Sequence, residues 1–199
     1  MYFGLVMNKE ASKIFEAINR LEYWFEQNGF SGWDPYDVQD SKIFRFIEQN
    51  FSNTIRRVLI RLLSEFNHIF PITFRKIAGV EKAINNKGLG LMLSAYSTLY
   101  QVSKNSMHLN NAISVASYLE QNSNKDYTGM SWGYPFDWLS PILIPAEVPS
   151  SVVTSIVGDG FYRLYKATSD KKYLNICQEI CKFFINDLSL TYQDAENSA

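Results

Sequence analysis

Leu99-Tyr100-Gln101-Val102-Ser103-Lys104-Asn105-Ser106-Met107-His108-Leu109-Asn110 is followed, 65 residues later, by Leu164-Tyr165-Lys166-Ala167-Thr168-Ser169-Asp170-Lys171-Lys172-Tyr173-Leu174-Asn175. The two stretches align without a gap. Leu-Tyr falls on Leu-Tyr at one end and Leu-Asn on Leu-Asn at the other. Between and beyond them Val102 matches Ala167, Ser103 matches Thr168, Val115 matches Ile180 and Tyr118 matches Phe183. Each stretch is a short polar turn, Ser103–Ser106 or Thr168–Lys171, between two segments of helical periodicity. A recurring helix hairpin is a unit that buries its apolar face against its neighbours, the mark of a repeat architecture.

The hairpins extend over residues 88–104 with 107–121, and 151–168 with 171–187. The first helix of each is rich in small residues. These are Gly88, Gly90, Ser94, Ala95 and Ser97 in one copy, and Ser150, Ser151, Ser155, Gly158 and Gly160 in the other. Small side chains allow close backbone approach, at up to about 1 kcal/mol of helix propensity per glycine, which suits an inner helix packed on several sides. The second helices are amphipathic, as outer helices are.

Towards the N-terminus, Ala11, Ile14, Phe15, Ile18, Leu21 and Phe25 recur at helical spacing and predict a helix over 9–28, with Asn8 as N-cap and Gly29 as the stop. Residues 42–49 predict a short helix. Residues 52–69 predict a longer one, with Ile55, Val58, Leu59, Leu62, Leu63 and Phe66 on one side and Pro71 as its stop. Residues 74–84 carry a weaker helical pattern, and 122–150 is a proline-containing linker. No run of alternating strands is present. The expected class is all-α, built of helical hairpin repeats.

Composition sets outer bounds. The chain has 199 residues, 46% hydrophobic and 15% aromatic, with 19 basic and 20 acidic residues for a net charge of −1. That is a globular composition, incompatible with intrinsic disorder. The balanced charge argues against nucleic acid as a partner. Two cysteines cannot make a disulfide scaffold. Residues 1–10 lack the basic start and cleavage site of a secretory signal, and no apolar run is long enough for a membrane span. Without an export signal, the sequon Asn50-Phe51-Ser52 reads as chance. The expectation is a single domain over 1–199, in the cytoplasm, without membrane contact.

Several segments together resemble one group of proteins. The turn 164–174 is similar to the hairpin turn common in α/α-toroid proteins, which include six-hairpin glycosidases, N-acylglucosamine 2-epimerases and unsaturated glucuronyl hydrolases. Gly32-Trp33-Asp34-Pro35-Tyr36-Asp37, Trp132-Gly133-Tyr134-Pro135-Phe136-Asp137-Trp138 and Pro149-Ser150-Ser151-Val152-Val153-Thr154-Ser155, in that order, resemble a group of six-hairpin-like proteins associated with surface-polysaccharide biosynthesis. The resemblance implies a partial (α/α)6 toroid. It also implies a carbohydrate ligand and a glycan-modifying role of hydrolase or epimerase type. A full toroid has six hairpins, about twice what this sequence predicts. The chain therefore looks like the N-terminal half of a ring, with a homodimer or partner chain completing it, or like a truncated product. A non-enzymatic repeat module that binds a protein partner is the alternative function.

Toroid proteins resembling this one place their sites on loops that lead into inner helices. Trp132, Tyr134, Phe136 and Trp138 are then expected at the funnel mouth beside Asp137, with the tryptophans and tyrosines, including Trp33 and Tyr36 from the earlier motif, as flat surfaces for a sugar ring. The alternative for the linker is a lid with its own small aromatic core. Asp34, Asp37 and Asp137 are the candidate catalytic carboxylates, since glycoside chemistry needs one acid and one base or nucleophile. For Asp34, preceding Pro35, the alternative is a turn opener that bonds its own backbone.

The remaining chemistry-bearing residues have structural readings. Cys177 and Cys181, spaced i, i+4, align with Ala112 and Ala116 in the other hairpin and are expected in the core rather than on a metal. His108 aligns with Tyr173 and is expected to pack at a turn. His68 sits near a helix C-terminus, where it favours the dipole, and Glu147 is not distinguished. Arg56, Arg57 and Arg61 read as a solvated helix face. Gly88-Leu89-Gly90 and Gly158-Asp159-Gly160 lack the lysine, hydroxyl and preceding strand of a phosphate loop, so no cofactor is indicated.

Overall fold

A computed structural model of the chain describes residues 9–139 and 143–188. The fold is all-α, with eight α-helices among the described residues. These residues fall into two compact units divided between Ser31 and Gly32, where composition predicts a single domain.

The first unit is essentially one helix, α1 (Lys9–Asn28). Gly29 ends it in the left-handed region, at φ 67°, and donates its N–H to the Phe25 carbonyl at 2.8 Å. Glu16 and Arg20 pair along its surface at 2.8 Å. The Asn8 cap lies outside the described residues.

The second unit holds two apolar clusters. The smaller is built by a 3-10 turn at Asp37–Asp40 and the helices α2 (Lys42–Asn50), α3 (Asn53–Ile69) and α4 (Pro71–Ala78). Val38, Phe44, Phe74 and Ala78 are its buried residues, with Ile60 and Leu63 of α3 packed against them. Pro71 both stops α3 and opens α4, because a proline at the first helical position gives up an N–H that has no intrahelical partner there. Helical periodicity over 74–84 therefore begins earlier and ends sooner than the pattern predicts. Gly79, at φ 68°, closes α4, and Ala83–Ile84 is extended.

The larger cluster is the repeat. Helices α5 (Asn86–Ser103) and α6 (Ser106–Gln121) form one hairpin, and α7 (Ser151–Thr168) and α8 (Lys171–Lys182) the other. The shift of 65 residues carries the bounds of α5 and the start of α6 onto those of α7 and α8. The turns match in backbone conformation and hydrogen-bond pattern. Lys104 and Ser169 are both left-handed, at φ 55° and 60°. Asn105 and Asp170 both cap the next helix by accepting from the N–H two residues on, at 3.0 and 2.9 Å. Ser103 and Thr168 both donate their hydroxyls back to the carbonyl four residues earlier, at 2.7 and 2.8 Å. Beyond Lys182 the last helix widens into a π turn, Phe183–Asp187.

Helices α5 and α7 are the inner pair. At their crossing a β-carbon on Gly90 would lie 2.9 Å from the N and Cα of Val157, and one on Gly160 would lie 2.9 Å from the Gly90 carbonyl oxygen. Only glycine permits this approach. Leu93, Val153, Val157, Phe161 and Leu164 are fully buried around it. Ser94 also donates to Asp159 across the pair at 3.0 Å. The outer helices close the other side with Ala112, Val115 and Leu119 of α6 and Ile176 and Ile180 of α8. Lys172 and Glu120 bridge them at 2.7 Å.

The linker contains a two-residue antiparallel ladder, Trp138–Leu139 with Leu143–Ile144, and an isolated antiparallel bridge between Gly133 and Pro149. The sequence pattern predicts neither, since both are too short for alternation to register.

Gly90→Ala should therefore destabilise the protein by roughly 1–3 kcal/mol through overpacking, a fall in Tm of about 3–10 °C for a domain of this size. Gly88→Ala, where the new methyl meets nothing closer than 3.9 Å, should leave Tm unchanged or raise it. Thermal denaturation of the two variants side by side checks the contrast.

Candidate functional site

The turn 33–37 is made by its own carboxylates. Asp34 accepts the Tyr36 N–H at 3.0 Å through Oδ1, the Asx geometry that an Asp-Pro sequence favours. Through Oδ2 it accepts from Asn85 Nδ2 at 2.8 Å. Asp37 turns back to accept the Asp34 N–H at 2.9 Å and pairs with Arg75 Nε at 2.9 Å. Arg75, on α4, uses its remaining donors on the Asp34 carbonyl at 2.7 Å, Asn67 Oδ1 at 3.0 Å and the Pro71 carbonyl at 3.2 Å. Asp37 and Arg75 are each only 6% exposed. Burial pushes the Asp37 carboxyl up, and the Arg75 guanidinium pulls it back only part of the way. Trp33 is anchored by its indole N–H on the Val80 carbonyl at 3.0 Å, with Lys82 Nζ 5.2 Å above its ring.

The segment 132–138 divides between core and surface. Trp132, 1% exposed, donates its indole N–H to the Leu119 carbonyl at 2.9 Å and stacks on Phe161. Its backbone N–H donates to Thr154 Oγ1 at 3.1 Å, and its carbonyl accepts from the Ser150 N–H at 3.0 Å. Tyr134, 8% exposed, packs between Phe136 and Trp138, and its carbonyl accepts the Glu147 N–H at 2.8 Å. The expected sugar-binding faces of Trp132 and Tyr134 are thus turned into the protein, and Asp37 is equally withdrawn into its ion pair. Apolar burial of the aromatic rings outweighs display at a rim.

Four of the eight expected residues converge at the surface. Tyr36, half exposed, stacks on Trp138 with ring centroids 5.4 Å apart and planes 14° from parallel. Asp137, beside Trp138, accepts the Ala146 N–H at 2.7 Å and pairs with Arg45 Nη2 at 2.8 Å, and Arg45 also pairs with Asp40. Asp34 is tied to the same place through Asn85, the cap of α5, while the adjacent Asn86 donates to the Gly133 carbonyl at 3.2 Å. The N-terminus of an inner helix therefore gathers both motifs. Asn85, Asn86, Arg45 and Arg75 are absent from the sequence reading because each acts across long sequence separations. The Asn-Asn pair before a helix start was the one signal available.

On the outer side of the turn lies an open groove of about 620 Å³, lined by Trp33, Tyr36, Asn67, His68, Ile72 and Arg75 among others. Elsewhere, Cys177 is half-buried. Its thiol, 3.9 Å from the Gly158 carbonyl, is pushed up to about 11 by burial and by the neighbouring Cys181. Cys181 is exposed, in contrast to the core position its alignment predicts. His108 is buried and stacked against Tyr96. Glu147 sits at a left-handed φ of 63° in the bend after the ladder.

Neither the family models nor the curated proteins compared with this chain contain a match to it.

Two outcomes follow from this geometry. Because burial raises the Asp37 carboxyl above its unfolded value, its contribution to stability is greatest at acid pH and falls as pH rises through the folded value. Arg75→Met removes the counter-charge and should cost about 3–5 kcal/mol at neutral pH, less at acid pH where Asp37 is protonated. Denaturant titrations at both pH values check it, and Asp37→Asn in the same background should flatten the difference. The thiols should also separate. A disulfide reagent at mildly alkaline pH should react quickly with Cys181 and slowly with Cys177, as peptide mapping would reveal.

Proposed function

We propose that this chain is a carbohydrate-associated protein of α/α-toroid type that binds a glycan on the ledge formed by Tyr36, Trp138, Asp137 and Arg45. The observation that carries this reading is the Tyr36–Trp138 stack. It presents a half-exposed aromatic face beside a carboxylate and a guanidinium, the combination that suits a sugar ring with its apolar face and hydroxyl edge. The repeat supports the toroid part of the reading. The loop residues before α5 and α7 bond to the N-terminal turns of these inner helices, the end at which toroid proteins hold their ligands.

The geometry favours binding over bond cleavage. Each candidate carboxylate is already committed to internal donors. Asp37 is closed inside an ion pair, Asp34 holds a turn and a side-chain amide, and Asp137 holds a backbone N–H and Arg45. A general acid or nucleophile needs an oxygen free to meet the glycosidic bond. Of the three, Asp137 lies on the ledge within reach of sugar hydroxyls, and Asp34 and Asp37 act by fixing the turn.

The test is a binding titration of the purified chain against neutral and uronic acid-containing oligosaccharides, followed by tryptophan fluorescence or calorimetry. Tyr36→Ala and Trp138→Ala should each weaken saturable binding by roughly threefold to tenfold, the magnitude of one lost aromatic contact, without changing the helical circular dichroism. Binding that survives both substitutions, or no binding to any member of the panel, would contradict the proposal.

A further inference from the structure

Helix α3 carries two apolar stripes. One, through Ile60 and Leu63, packs on the smaller cluster. The other, Ile55, Val58, Leu62, Phe66 and Ile69, is between 40 and 64% exposed, with the inner edge of Phe66 against Phe74 and the rest of the stripe open. A soluble helix normally has one apolar stripe, and a second one of this extent marks an interaction surface.

The spacing of the open stripe identifies what fits it. Counted from Leu62, the residues stand at −7, −4, 0, +4 and +7. The stripe is therefore symmetric about its centre. If an identical helix is laid against it antiparallel, with a two-fold axis at Leu62, apolar residues meet throughout. Ile55 lies against Ile69 of the second copy, Val58 against its Phe66, and Leu62 against itself. A two-fold interface requires this kind of self-complementary patch. The charges beside the stripe agree. Arg61 and Glu65 flank it on one side, and no ion pair among the described residues engages either. Antiparallel pairing brings Glu65 of each copy within about two residues' rise, roughly 3 Å along the axis, of Arg61 of the other. Burying all that these five side chains expose removes up to about 500 Å² per copy, about 1,000 Å² in total, the size of a weak, reversible interface.

We infer that α3 is the contact of a two-fold antiparallel homodimer centred on Leu62. The interface is independent of the glycan ledge, and its test does not depend on any ligand.

Sedimentation equilibrium of the full chain should reveal a reversible dimer with micromolar dissociation. Leu62→Arg, which puts two like charges on the axis, should weaken it by roughly thirtyfold or more with unchanged helical content. Arg61→Glu should weaken it, and Arg61→Glu with Glu65→Arg should restore it. With Cys177 and Cys181 replaced by alanine, Leu62→Cys should oxidise to a disulfide-linked dimer. Ile55→Cys should not, because its two copies lie about 21 Å apart along the axis. A chain that stays monomeric at all concentrations, a dimer that survives Leu62→Arg, or equal cross-linking at Ile55→Cys would overturn the inference.

Discussion

The close crossing of α5 and α7 at Gly90 and Gly160 is the constraint on which the rest of the second unit depends. The backbones approach until Val157 N and Cα fill the space a β-carbon would occupy. This brings Leu93, Val157, Phe161 and Leu164 into one dry layer between the helices. Dispersion contacts fall off steeply with separation, so a crossing this tight gains contact along its length, and any added methyl forfeits it. The outer helices then have a flat inner pair to lie on. The register of that pair fixes where the two inner N-termini end.

Those N-termini carry the function proposed here. Asn85 and Asn86 at the start of α5 hold one oxygen of Asp34 and the carbonyl of Gly133. Ser150 and Thr154 at the start of α7 hold the backbone of Trp132. Arg75 locks the other end of the first turn with two hydrogen bonds, to Asp37 and the Asp34 carbonyl, and is itself held by two more to Asn67 and the Pro71 carbonyl. A stacked Tyr36–Trp138 pair is what remains at the surface once these anchors are satisfied. The turn beneath the ledge is thus held by buried and half-buried polar contacts, and the ledge itself by the Tyr36–Trp138 stack and the Asp137–Arg45 pair.

Much of this architecture was legible in the sequence. The ungapped 65-residue register foretold both hairpins, and its turns recur in detail because the left-handed residue, the capping side chain and the back-bonding hydroxyl are all local. Small residues on α5 and α7 foretold the close crossing. The site was less legible. Tryptophan and tyrosine are favoured both in cores and at sugar-binding surfaces. Composition therefore could not separate Trp132, which is core, from Trp138, which is rim. Asp34 took its turn-forming alternative, which an Asp-Pro step supports locally, while the burial of Asp37 depends on Arg75, 38 residues away. Cys181 aligned with a buried alanine yet lies exposed, since the equivalent outer helices do not bury identical faces.

The central claim is that the inner helices meet at glycine. It is tested most directly by nuclear Overhauser contacts from the Gly90 α-protons in a labelled sample. The account predicts strong cross-peaks from Gly90 to the α- and amide protons of Val157. Gly90 α-protons with only intrahelical and solvent cross-peaks would contradict it.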